Sequence, residues 1–250
     1  MKTILIAGCS SGFGLETAKL FLDRDWKVIA TMRTLNENTL PTSQHLRVLA
    51  LDVTDPKSIA DVVKAAGPID ALVNNAGIGL MGVLEATSME KIREIFETNT
   101  YGTIAMTQAI VPQFRQQKAG VIVNVSSSTT LKPLPMLSVY TASKAAVNAF
   151  TESLALELEQ YNVRVNLVMP GRAPETPFGK SAQVRMQDTI PEAYAGFAQK
   201  VFAAMGGPAS AVTHASDVAE AIWRAVNDSS SPLRIPAGAD AVALAASSNA

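Results

Sequence analysis

The sequence predicts an α/β fold built on one doubly wound parallel sheet. Three observations predict it. Short, continuously apolar runs alternate along the chain with segments of helical spacing, as expected of strands covered on both faces by crossover helices. A glycine-rich turn stands directly between the first apolar run and the first helical segment. No linker rich in Pro, Gly or Ser and no internal repeat divides the chain, so residues 1–250 read as a single domain.

The elements follow in order. KTILIA (2–7) is a short apolar run and reads as a buried strand. Glycines follow, then a helical stretch at 15–24. WKVIATM (26–32) and LRVLALD (46–52) read as the second and third strands. A helix over 56–66 is announced by Thr54-Asp55-Pro56, a capping residue followed by proline in the first turn. IDALVNN (69–75) is the fourth strand, and one long helical stretch spans 89–117. GVIVNVSS (120–127) is the fifth strand, and helical spacing continues through 138–160. VRVNLVMPG (163–171) is the sixth. Residues 174–210 break the alternation with Pro174, Pro177 and scattered Met, Phe and Tyr. An insertion there stands beyond the strand carboxyl ends, where such sheets bind ligands, and is expected to form a substrate lid. An amphipathic helix at 215–226 and a short strand at 233–238 complete the pattern.

Composition narrows the function. Hydrophobic residues make up 48% and charged residues 17%, enough for a large core and too apolar for disorder. A net charge of −1 gives no basic field for nucleic acid or an anionic membrane. One cysteine, Cys9, excludes a disulfide framework or thiolate metal cluster. His45 and His214 lack clustered partners and read as surface or loop residues rather than metal ligands. No 18-residue apolar run predicts a membrane span, and the apolar N-terminal run is too short for a signal peptide. A cytoplasmic location is expected.

The turn after the first strand reads Gly8-Cys9-Ser10-Ser11-Gly12-Phe13-Gly14. Gly8 permits a tight turn. Gly12 and Gly14 let backbone amides approach a pyrophosphate at a helix N-terminus, where the dipole favours negative charge. Ser10, Ser11 and Phe13 join them as cofactor contacts. The second strand ends Ala30-Thr31-Met32-Arg33, with no acid to hold a ribose 2′-hydroxyl and an arginine suited to a 2′-phosphate. NADP(H) is therefore favoured, with NAD(H) left open.

Tyr140 and Lys144 are spaced i, i+4 on the helix over 138–160, so they share a face. An ammonium beside a phenol favours the phenolate and lowers the tyrosine pKa, and the helix N-terminus adds in the same sense. That suits a proton donor to a carbonyl oxygen, or the reverse. Three serines, Ser126 to Ser128, end the fifth strand, and spacing by periodicity does not choose among them.

These features together resemble the short-chain dehydrogenase/reductase family, of the single-domain kind, over 1–240, and ATMR (30–33) with LRIPAGADA (233–241) resembles its hydroxysteroid- and retinol-type branch. The quoted motifs are Gly8, Gly12 and Gly14; Asp52-Val53 after the third strand; Asn74-Asn75-Ala76-Gly77 after the fourth; Asn99; Tyr140-Thr141-Ala142-Ser143-Lys144; and Pro170-Gly171. The resemblance implies a Rossmann-like fold and an NAD(P)-dependent oxidoreductase acting on a carbonyl/alcohol pair. It implies that Asp52 and Val53 meet the adenine, and that Asn75, Ala76, Gly77, Pro170 and Gly171 line the cofactor. It implies a catalytic tetrad of Asn99, Ser127, Tyr140 and Lys144, the serine lying thirteen positions before the tyrosine. Ser127 would position the substrate oxygen and Tyr140 would transfer the proton. Lys144 would lower the tyrosine pKa and hold the nicotinamide ribose, and Asn99 would anchor a water linking Lys144 to solvent. On that reading, Ser126→Ala and Ser128→Ala serve as controls for Ser127→Ala. Thr176 is the candidate for the carboxamide contact, although the loop after Pro170-Gly171 is one residue longer than the family pattern and holds a second proline.

Met81, Leu131, Leu134, Met136 and Phe178, with Met186 and Tyr194 from the lid, are expected to face a substrate with a hydrophobic body. A cofactor-sensing protein without turnover is the rival from another class, and the intact tetrad speaks against it. An epimerase or dehydratase of the extended family would need a larger substrate domain. Apolar residues on more than one face of the helix over 138–160 predict a homodimer or homotetramer through that helix and the one near 89–117.

Overall fold

The computed structural model describes residues 1–36, 39–206 and 211–248. Seven parallel strands form one sheet in the order β3-β2-β1-β4-β5-β6-β7. They are β1 (Thr3–Ala7), β2 (Lys27–Met32), β3 (Leu46–Ala50), β4 (Ala71–Asn74), β5 (Gly120–Val125), β6 (Val163–Pro170) and β7 (Arg234–Ala237). The chain runs outward from β1 to β3, then returns to place β4 beside β1 on the other side. That reversal opens a crevice beyond the carboxyl ends of β1 and β4.

Burial explains the composition of each strand. β4 is buried at every residue and β1 at all but its first, so both read as unbroken apolar runs. β3, at the sheet edge, has no fully buried residue and tolerates Arg47. One face is covered by α1 (Gly12–Asp23) and α8 (Ala215–Asn227), which pack Phe21, Val28 and Ile222 into a single core. The other face is covered by α2 (Pro56–Ala66), α4 (Gly102–Gln117) and α5 (Ser138–Glu159), around Leu72, Ile110, Phe114 and Ile122. Each such side chain contributes about 1.5–3 kcal/mol on burial. α2 starts as its sequence predicts: the Asp55 carboxylate accepts from the Lys57 N–H at 2.9 Å, with Pro56 in the first turn.

Register places the site. Ala7 pairs with Asn74, and Asn74 with Asn124, so β1, β4 and β5 finish level with one another. The Asn74 amide donates to Asn124 Oδ1 at 2.8 Å and to Thr107 Oγ1 at 2.9 Å, cross-linking the strand ends in the buried interior. The turns that follow, at Gly8, Asn75 and Ser126, therefore leave the sheet side by side.

Three expectations change, while the insertion is the helix-and-loop region expected. α1 begins at Gly12 rather than 15, so the glycine turn itself forms the first helical turn. The stretch expected as one helix over 89–117 is α3 (Met89–Phe96), a widened π turn (Glu97–Tyr101) and α4. The insertion holds α6 (Phe178–Arg185), a 3₁₀ turn (Glu192–Tyr194) and α7 (Ala195–Gly206); its last residues, 207–210, lie outside those described. A C-terminal helix, α9 (Ala239–Ser248), was not expected, because a run of Ala and Ser carries little apolar periodicity.

Candidate active site

A cavity of about 670 Å³ runs along the carboxyl ends of the strands, from Arg33 and Asp52 to Ser127, Tyr140 and Pro170. At its centre the chain turns sharply out of β1. Gly8 has φ +85°, and the N–H groups of Gly8 and Cys9 both donate to Thr31 O, at 3.1 and 2.7 Å. A Cβ on Gly14 would stand 2.2 Å from Gly8 O, so only glycine lets α1 close onto the turn. Asn75 Nδ2 fixes the turn from the β4 side, donating to Ala7 O at 3.1 Å and to Gly8 O at 2.9 Å. Ser11 precedes α1 in extended conformation and makes no side-chain cap, so the first N–H groups of the helix are left for another acceptor. Ser10, Ser11, Gly12 and Phe13 line the cavity at that point.

Arg33 and Asp52 form the far end. Asp52 Oδ1 accepts from the Thr54 N–H at 2.9 Å and from its hydroxyl at 2.7 Å. Those bonds, aided by the Arg33 guanidinium, hold the carboxyl below its usual range. Val53, Ala76, Gly77, Pro170, Gly171 and Thr176 also line the cavity, with Tyr140 and Lys144. Gly14 does not: its role is to let the helix pack. Thr176 donates its hydroxyl to Ala173 O at 2.9 Å, inside its own loop. Cys9 is buried, and burial pushes its thiol up to about 12, which leaves it a packing residue.

An elongated cavity with uncapped helix N–H groups at its middle and an arginine at one end fits a dinucleotide. Among the described residues no three His, Cys, Asp or Glu side chains stand together as metal ligands, and no helix is long and apolar enough to cross a membrane.

At the other end the structure brings Ser127, Tyr140 and Lys144 to one wall, with Asn99 behind them. Ser127 stands two residues beyond the end of β5, near enough to the Tyr140 phenol to draw its pKa downward. Ser127 Oγ also accepts from the Thr129 N–H at 3.3 Å. Lys144 is 5% exposed, and its Nζ donates to Val125 O at 3.0 Å. Asn99 sits in the π turn, where its side chain pairs with one residue in both directions: Ile78 N donates to Oδ1 at 2.8 Å, and Nδ2 donates to Ile78 O at 2.9 Å. Nδ2 also reaches Ser143 Oγ at 3.1 Å, joining the turn to α5. A Cβ on Gly77 would lie 3.2 Å from Asn99 Oδ1 and 3.4 Å from Lys144 Nζ, so Gly77 leaves the room these two share.

Electrostatics at this wall run opposite to the expectation from spacing. Burial pushes Tyr140 up to about 12, and only the neighbouring Ser127 hydroxyl pulls the other way. Burial pushes Lys144 down to about 8. Desolvation penalises the charged form of each group.

The expected substrate residues divide. Phe178 lines the cavity, its ring centroid 5.9 Å from that of Tyr140. Met136 is buried with Ala198 and Val201 of α7, and Met81 packs against the same cluster. Leu131 packs on Val147 and Leu167, and Leu134 is exposed. Tyr194 turns its hydroxyl to Glu85 at 2.9 Å. Neither these nor Met186 line the cavity. For Met81 and Met136 the reason is α7, which takes them into its own core. Reading the sequence missed Glu94, Ser181 and Arg185, which do line it; Arg185 Nε meets Glu94 Oε1 at 3.0 Å, from α6 to α3. Nothing in local spacing links positions so far apart. Ser126 is also not the neutral control expected, because it is buried and hydrogen-bonded to α5.

Comparison with known proteins agrees with this geometry. The family model for short chain dehydrogenase matches residues 2–186. Human retinol dehydrogenase 8 is 37% identical over 255 residues, covering 93% of this chain and 80% of that one. The bovine protein of the same name is 42% identical, but the match covers 68% of this chain and 58% of the bovine protein. Among solved structures, a short-chain dehydrogenase from Streptomyces avermitilis superposes with a TM-score of 0.85 at 32% identity, covering 98% of this chain and 91% of that one. A 3-ketoacyl-(acyl-carrier-protein) reductase from Brucella melitensis complexed with NADH gives 0.77 at 28%, covering 94% and 96%. A serine dehydrogenase complexed with NADP⁺ gives 0.78 at 28%, covering 94% of each chain.

Proposed function

The chain belongs to the short-chain dehydrogenases, oxidoreductases that interconvert CH–OH and C=O with a nicotinamide cofactor, and on that premise we propose that it reduces a carbonyl substrate with a hydrophobic body, using NADPH. One observation carries the reading: the buried side chains of Ser127, Tyr140 and Lys144 stand together at the end of a dinucleotide-shaped cavity. Bound in that cavity, the nicotinamide supplies or accepts the hydride.

The chain's own residues do the rest. The uncapped N-terminus of α1 receives the pyrophosphate, and Arg33, with no acid nearby on β2, favours a 2′-phosphate. Ser127 donates to the substrate oxygen and holds it against Tyr140. With a pKa near 12, Tyr140 is a phenol at neutral pH, so it stands ready as an acid that protonates the oxygen as hydride arrives. Lys144, when charged, makes the phenol a better donor, and its depressed pKa of about 8 limits that help to lower pH. Asn99 keeps the π turn and α5 in register behind them. Phe178 sets an aromatic ring beside Tyr140, and Thr176, which lines the cavity, would meet the carboxamide by turning its hydroxyl from Ala173 O. The name of the human relative, a retinol dehydrogenase, supports a lipophilic substrate.

The test is a panel of lipophilic aldehydes and ketones with NADPH, followed by loss of nicotinamide absorbance. Tyr140→Phe should lower turnover by roughly 10²–10⁴-fold with NADPH affinity retained. Turnover near that of the unaltered enzyme would overturn the mechanism. A cytoplasmic homo-oligomer accompanies this reading. Leu156 on α5, 75% exposed, and Tyr101 at the end of the π turn are exposed large side chains on the two helical segments expected to pair. Solution scattering at micromolar concentration should give at least a dimer mass, and a monomer mass would refute it.

A further inference from the structure

We infer that Asn148 is a positioning residue for the reduction proposed above: it fixes Ser127 opposite Tyr140 by gripping the residues on either side of the serine. The inference rests on the role given there to Ser127. Asn148 lies one turn beyond Lys144 on α5 and is 8% exposed. Its Oδ1 accepts from Ser126 Oγ, and its Nδ2 donates to Thr130 Oγ1 at 3.0 Å. The Thr130 hydroxyl in turn donates to Ser127 O at 2.8 Å. The two bonds therefore reach Ser127 from its preceding neighbour and from its own carbonyl.

The proton order of this chain is fixed by counting. A hydroxyl has one proton, and Thr130 uses its proton on Ser127 O. Thr130 must then accept from Asn148, which requires the NH₂ group to face it. Oδ1 consequently faces Ser126, which must donate. Ser126 is held in addition by the sheet, its N–H donating to Val168 O at 2.8 Å. The serine turn leaves β5 at Val125 and closes on itself, Thr130 and Leu131 donating their N–H groups to Ser127 O and Ser128 O at 3.2 and 2.9 Å, but none of these bonds reaches α5. Asn148 ties it to the helix that carries Tyr140 and Lys144, so all three groups ride on one frame. A carboxamide is the only side chain here that satisfies both ends, since an aspartate offers no donor to Thr130.

The experiment measures kcat, KM and NADPH affinity with the carbonyl of highest turnover in the panel. Asn148→Ala and Asn148→Asp should each lower kcat by about tenfold, the loss of one or two buried hydrogen bonds. NADPH affinity by fluorescence should stay unchanged. Thr130→Val should reproduce the loss and Thr130→Ser should restore it; this pair carries the test if Asn148 variants do not fold. The decisive measurement is epistasis. In a Ser127→Ala background, Asn148→Ala or Thr130→Val should cost no further kcat, because the group they position is gone. The same tenfold loss in that background would overturn the positioning role and leave the role of Ser127 standing. If Ser127→Ala itself turned over like the unaltered enzyme, the proposed role of Ser127 would fall, and this inference with it.

Discussion

At the residue scale, the role proposed for Lys144 and its contribution to stability pull apart. The i, i+4 spacing made it legible that Tyr140 and Lys144 share a face, but not that the pair is buried. Burial is a property of what packs over the helix, here β5 and the loop at Gly77, and it reverses the expected direction of the tyrosine shift. A lysine lowered from 10.5 to about 8 is held more tightly protonated by the unfolded chain than by the folded one. At neutral pH the folded state therefore carries a penalty of roughly 3 kcal/mol. The sign is definite: stability contributed by this group rises as pH climbs from about 8 to 10.5. Tyr140 works the other way, losing stability between about 10 and 12, because the folded state keeps its proton longer. Lys144→Met should accordingly raise stability at pH 7 by 1–3 kcal/mol, roughly the removed desolvation cost, while turnover falls by at least about 10²-fold. Urea unfolding at pH 7 and pH 10 checks both parts. A variant less stable at pH 7, or a gain that does not shrink by pH 10, would contradict the burial account.

Individual elements were legible wherever the pattern was long or punctuated. Strands buried on both faces appear as unbroken apolar runs, and Asp55-Pro56 marks the start of α2 unmistakably. The π turn at 97–101 was hidden, since an extra residue in a helix alters spacing by only one position and its cause, the pairing of Asn99 with Ile78, is twenty-one residues away. The pocket wall was misread for a related reason: Met81 and Met136 have the character of substrate contacts, and which apolar surface they meet depends on where α7 lands. The same insertion supplies an element-scale prediction. α6 is fastened to α3 by Arg185–Glu94 at the cavity edge, and Lys91 Nζ donates to Gln187 O just beyond. Glu94 is half-exposed, so the pair contributes at most about 1 kcal/mol to stability. Its effect should be kinetic. Arg185→Gln should speed NADPH release severalfold in stopped-flow fluorescence, and raised salt should speed release from the unaltered enzyme toward the same rate. Equal release rates in both proteins at low salt would show that α6 is held by its apolar contacts instead.

For the whole molecule, the cavity runs along the carboxyl edge of the assembled sheet, where the ends of six strands and the loops after them meet. Its walls come from the turn after β1, the end of β2, the loops after β3, β4 and β5, and the insertion after β6. A ligand filling it binds only the assembled sheet, so its free energy adds directly to the stability of the fold. At 100 times its dissociation constant, a ligand stabilises by about 2.7 kcal/mol, which for a chain of this size is roughly 5–10 °C in melting temperature. NADPH should give that rise, and NADH at equal concentration a smaller one, because only NADPH has a phosphate for Arg33. Arg33→Asp should invert the order: a carboxylate at the end of β2 repels the 2′-phosphate and accepts from a ribose 2′-hydroxyl. Arg33 is exposed, so the melting temperature without cofactor should barely move. Thermal melts of both proteins with each cofactor separate the alternatives. An order unchanged by the substitution would place the 2′-phosphate away from Arg33 and remove the chief reason for preferring NADPH.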